Sequence, residues 1–176
     1  MRPGWPPALV ARGLCYARLG DHKEAVREWR EVERVSPRDL GNVSLCDRGL
    51  SLSIIGEYEQ AIQVLDHALE EEPSAEALYN RAVAVARMNG VSDADDELAR
   101  AAKAVAEADN EVVRHYGAGG ICALRGEADA AFQALSEACA LPGSNARMWA
   151  SSDPAWENLR EYPEFVAAVR EEGERI

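Results

Sequence analysis

The sequence has little of what usually announces a chemical activity. Cys15, Cys46, Cys122 and Cys139 form no C-x-x-C pair and have no nearby histidine at zinc-ligand spacing. There are only three histidines, His22, His67 and His115, and none has a nucleophile or metal partner at an interpretable spacing. Ser36, Ser44 and Ser136 lie outside any nucleophile-elbow context. The stretch YGAGG (116–120) follows no strand and so is no phosphate loop. DADDE (93–97) lacks the loop length, central glycine and terminal glutamate of an EF-hand, and reads as a charged helix start. Catalysis, cofactors and metals are therefore not expected.

Other absences bound the partners and the compartment. No apolar run is long enough to span a bilayer. The opening MRPGWPPALVARGLCYARLG is broken by Arg12 and Arg18 and has no clear cleavage site, so it does not read as a signal peptide. Leu14 stands where a lipoprotein cysteine at 15 would want a small residue. There is no basic excess: the formal net charge is −12, which argues against nucleic acid and anionic membranes as partners. Each cysteine falls inside a predicted helix and is expected to be a small buried hydrophobe, which suggests a reducing environment, and a cytoplasmic location is the expectation.

The charge is unevenly spread. Residues 1–40 hold eight Lys/Arg and six Asp/Glu, whereas residues 41–73 hold one and seven. The acidic stretch is either a solvated face that keeps the protein soluble or a surface that attracts a basic or mixed partner. Few segments are β-branched, and Ala, Leu, Glu and Arg dominate, which favours helix.

What is present is a repeat. GDHKEA (20–25), GEYEQA (56–61) and GEADAA (126–131) share a glycine, an acid and an alanine at one spacing. Gly20 is followed by Ala25, Trp29, Val32 and Pro37; Gly56 by Ala61, Leu65, Ala68 and Pro73; Gly126 by Ala131, Leu135, Ala138 and Pro142. Gly13, Gly49 and Gly119 precede the turns at a constant distance. These spacings are helical, so each unit predicts two amphipathic helices joined by a tight turn. The turn glycine supplies a positive φ, the acid starts the second helix by capping or by charge, and the alanine sits where the helices approach closely.

RGLCYARLGDHKEAVREWREVERVSP (12–37) and RGLSLSIIGEYEQAIQVLDHALEEEP (48–73) resemble the tetratricopeptide repeat, a family whose unit is about 34 residues long with a G–Y–G–A–F–A–P skeleton. A third unit opens with ALYNRAVAVARMNG (77–90), and its second helix departs from the pattern: extra residues are expected in its turn or helix start, and either Ala94 or Leu98 could take the alanine slot. YGAGGICALRGEADAAFQALSEACALP (116–142) gives a fourth. The expected fold is all-α, an α-α superhelix of about four helix-turn-helix repeats, near 6–39, 42–75, 75–110 and 111–143. Residues 151–176, with Asp153-Pro154 and Pro163 opening two segments, resemble the ending of bacterial arrays and read as a cap over the last apolar face, carried by Trp156, Leu159, Phe165, Val166 and Val169. LPGSN (141–145) and MWASS (148–152) form the joint before it. Trp5, with Pro3, Pro6 and Pro7, is expected to cover the first helix.

The resemblance implies protein or peptide binding in a concave groove lined by the first helix of each pair. The matching positions are Val10 and Leu14 in unit one, Cys46, Asp47 and Leu50 in unit two, Tyr79, Asn80 and Val83 in unit three, and Tyr116 in unit four. A carboxylate clamp is not expected, because Val10, Leu14 and Asp47 hold its places. The groove is thus read as largely apolar, open to a partner segment or filled by the chain's own tail. The alternative role is assembly, with two copies pairing through array ends or the last helix as a homodimer. Arg12, Arg48 and Arg81 recur at one position and either clamp acidic groups or tie neighbouring repeats together, with Asp47 and Glu76 as nearby acids.

Overall fold

The computed structural model describes residues 5–32, 34 and 41–169. Pro3 and Pro37 lie outside them. The described residues form ten α-helices and no strand: α1 (Pro6–Arg18), α2 (His22–Val32), α3 (Gly41–Ile54), α4 (Tyr58–Glu71), α5 (Ala75–Asn89), α6 (Asp95–Ala106), α7 (Glu111–Arg125), α8 (Ala128–Ala140), α9 (Ala146–Ser152) and α10 (Pro163–Val169). Two 3-10 segments, Ser92–Ala94 and Pro154–Leu159, interrupt the series. Helices pack as hairpins α1/α2, α3/α4, α5/α6 and α7/α8. The first helices also pack in a row, α1 on α3, α3 on α5 and α5 on α7. This is the all-α repeat array that the periodicity predicts.

The punctuation follows the physics of the turn. Gly20, Gly56, Gly90 and Gly126 all have φ between 76° and 95°, where a side chain would be strained. The acid after the glycine acts in two ways. Asp21 accepts a hydrogen bond from the Glu24 N–H at 3.3 Å, whereas Glu57 and Glu127 make no side-chain cap and contribute only charge near a helix N-terminus. Ser74 and Asn110 cap α5 and α7 through their side chains.

The third unit keeps the register. Ala94 lies thirteen residues after Arg81, as Ala25 does after Arg12 and Ala61 after Arg48. Ala94 is fully buried, and Leu98 and Ala101 follow it as Leu65 and Ala68 follow Ala61. Ala94 therefore holds the alanine slot. The glycine comes one residue later, and the Ser92–Ala94 3-10 turn takes up the difference. The added length falls after α6 instead of at its start. There Arg114 holds the connection by donating to the carbonyls of Ala108 and Asp109.

Two of the recurring arginines are tied down by ion pairs. Arg12 pairs with Glu28 inside its own hairpin. Arg81 joins neighbouring repeats, reaching Asp66 of α4 and Glu97 of α6, each at 2.6 Å. Their partners are not Asp47 and Glu76, the acids nearest in the sequence reading. Three further expectations are corrected. Trp5 is 62% exposed and so is not packed down over the first helix. Cys15 is exposed, because it falls on the solvent side of α1, while Cys46 and Cys139 are buried. MWASS is helical, part of α9, and not a joint.

Candidate functional site

The site is built by the first helices and by the segment that follows α9. That segment turns back across them: Pro154–Leu159 packs on α7 and α5. Pro154, Ala155, Trp156 and Leu159 are buried there, and Trp156 is the largest side chain with no exposure. Its ring stacks obliquely with Tyr116 (centroids 6.1 Å apart) and with Phe165 of α10 (5.9 Å). Apolar burial of this size is the main force that holds the segment down.

Asp153 fixes its position. The hydroxyls of Tyr79 on α5 and Tyr116 on α7 both donate to Asp153 Oδ2, at 2.8 and 2.7 Å. The other carboxylate oxygen accepts from the Ala155 N–H at 2.8 Å, the capping role that the sequence gives it. Arg160 donates to the Asp153 carbonyl at 3.0 Å, and Arg87 of α5 pairs with Glu157. Burial pushes the Asp153 carboxyl above the usual range, and its hydrogen bonds and Arg160 offset part of that rise. Burial, then the charge of Asp153, raises both tyrosines well above their ordinary value, so they stay protonated as donors.

Beside this knot the concave face retains a cavity of about 170 Å³ between α3, α5 and α7. Asp47, Leu50, Tyr79, Asn80 and Tyr116 line it, five of the nine positions named from the sequence. The other four, Val10, Leu14, Cys46 and Val83, are buried without lining it; Tyr79, Asn80 and Tyr116 are as little exposed, so reach and not exposure separates the two sets. The division has a physical cause. Val10, Cys46, Tyr79 and Tyr116 occupy one repeat slot, but valine and cysteine end within the core, whereas the longer tyrosines reach across the groove. Leu14, Leu50, Val83 and Gly120 share another. A Cβ at Gly120 would stand 2.0 Å from the Tyr79 hydroxyl, so only glycine lets that tyrosine reach Asp153.

Sequence reasoning missed Arg18, Glu76, Trp149 and Asp153, which share the wall with Val105, Val113 and Gly117. The available signal was two tyrosines on inner positions with no acceptor of their own in the repeats. Asp47 and Glu76 are both raised, chiefly by desolvation; Arg18 pulls Asp47 back and Asp47 raises Glu76 further. Burial and the neighbouring Glu76 push the Cys46 thiol to about 12, which leaves it a poor nucleophile at neutral pH. His115 of α7 pairs with Glu137 of α8 at 2.8 Å and His67 lies 3.8 Å from Glu70 within α4; neither histidine lines the cavity. Among the described residues no three metal-ligating side chains come together, and no helix is long and apolar enough to cross a membrane.

Residues 44–75, which are α3, its glycine turn and α4, match the family model described as Tetratricopeptide repeat. The chain carries a tetratricopeptide repeat. No curated protein and no solved structure matches it. Tetratricopeptide repeats are in general non-enzymatic modules for protein–protein interaction. The matched unit contributes Asp47 and Leu50 to the cavity, so the tetratricopeptide geometry itself sets one wall. The other walls come from the neighbouring helix pairs, from α9 and from the segment after it.

Proposed function

We propose that the chain is a scaffold module that receives a segment of another protein in its concave face, beside its own docked Asp153–Leu159 segment. One observation carries this reading: the first helices leave an apolar cavity of about 170 Å³ although the tail already lies in the same groove. Leu50, Val105 and Val113 offer apolar wall, and the two tyrosines and Trp149 offer flat aromatic surface of the kind that anchors partners.

The test is capture from the native lysate with the wild-type chain and two single variants of opposite placement. Leu50→Lys puts a charge into the cavity; Gln63→Lys puts one on the exposed side of α4. Leu50→Lys should reduce recovery of the bound protein at least about tenfold, as expected for a charge buried against an apolar contact, while Gln63→Lys leaves it unchanged. Both should retain the wild-type circular dichroism. Equal recovery with all three chains would rule out the concave face.

A further inference from the structure

The cavity is apolar but its charge is unbalanced. Asp47, Glu76 and Asp153 line it, against Arg18 as the one basic side chain on its wall. Asp153 is occupied by two tyrosines, the Ala155 N–H and the nearby Arg160. Asp47 and Glu76 have neither a hydrogen bond nor an ion pair among the described residues. Asn80 lines the same space, is 5% exposed, and its amide nitrogen has no partner among the described residues. That nitrogen can only donate, so it is left for an acceptor such as a backbone carbonyl of the bound segment and not for a cation. Tyr79, Tyr116 and Trp149 complete the wall with rings set at 65° and 78° to one another, centroids 6.0 and 5.3 Å apart.

We propose that this cavity binds a primary alkylammonium group, the side chain of a lysine presented by the partner protein. This rests on the concave face being the binding face. The four-carbon stem suits Leu50 and Val113, the ammonium meets Asp47 and Glu76, and the ring faces favour a cation further. A compact ammonium on a flexible stem fits a small cavity better than a planar guanidinium, which seeks a bidentate carboxylate. The desolvation that raises Asp47 and Glu76 is the cost a bound cation would relieve.

The probe is n-butylammonium chloride, titrated into the ¹⁵N-labelled chain in parallel with butan-1-ol. Butylammonium should give saturable shifts at the amides around Asp47, Asn80 and Tyr116, and butan-1-ol should bind at least about tenfold more weakly. Asp47→Asn with Glu76→Gln should weaken butylammonium at least about tenfold, and Arg18→Gln should tighten it. Asp47→Asn alone decides the point if the double variant loses helical signal. A short peptide with one lysine between leucines should bind more tightly than its norleucine counterpart and than butylammonium. Equal binding of butan-1-ol overturns ammonium recognition but leaves an open apolar groove. No shift with any compound overturns both, because the cavity is then closed. A lysine peptide no tighter than butylammonium assigns the site to a free amine and overturns the partner lysine.

Discussion

Replacing Trp156 with alanine will lower the melting midpoint by roughly 6–20 °C. The estimate follows from about 3–5 kcal/mol for truncating a fully buried tryptophan, at about 2–4 °C per kcal/mol for a domain of this size. Trp156 has no exposure and joins the tail to the repeats through Tyr116 of α7 and Phe165 of α10, so its loss leaves a cavity that neither neighbour can fill alone. Trp5 supplies the control. It is 62% exposed, and its replacement by alanine should stay within about 0.5 kcal/mol of wild type. Thermal denaturation followed by circular dichroism checks both. A Trp156→Ala chain that melts like wild type would mean that the segment after α9 does not dock on α5 and α7.

The second large effect is at Asp153. Asp153→Ala strands two buried tyrosine hydroxyls at about 1–3 kcal/mol each, and losing a desolvated carboxylate returns part of that, so a net loss of roughly 2–4 kcal/mol is expected. Tyr79→Phe and Tyr116→Phe should each cost less, and combining either with Asp153→Ala should cost less than the sum, because the three groups form one network. Acid gives a further check. Burial raises the folded-state pKa of Asp153 above its unfolded value. Its contribution to stability is therefore complete below the ordinary carboxylate range and is lost as pH rises through the raised value. Asp153→Asn keeps an acceptor oxygen but cannot titrate, so its deficit relative to wild type should narrow as pH rises through that window. A deficit that widens with pH would contradict the assignment.

These effects mark where the sequence was legible. The hairpins were, because the turn glycine, the alanine and the residue one helical turn later are set by local geometry that a spacing displays directly. The third unit looked irregular because its glycine moved by one residue, yet the interval from Arg81 to Ala94 keeps the interval of the other units. Arginine and alanine face fixed neighbours there, whereas a turn can absorb a shift. The groove was legible only in part. A first helix packs against its own second helix and against the first helices on either side, so its buried arc is wider than its concave strip. Position alone could not separate Leu50, on the cavity wall, from Leu14 and Val83, inside the core. In the tail the sequence shows an aspartate placed to cap before Pro154, and Asp153 does accept from the Ala155 N–H. That the same aspartate accepts from tyrosines 74 and 37 residues earlier depends on the superhelix curving the chain back on itself, which no local pattern records.

The central claim is that the inner row of helices, not the outer one, is the working surface, with the tail closing one end. Hydrogen exchange of the chain with and without its captured partner measures this directly. Added protection is expected at the amides of α3, α5 and α7 around Asp47, Asn80 and Tyr116. Protection confined to α2, α4, α6 and α8 would contradict it.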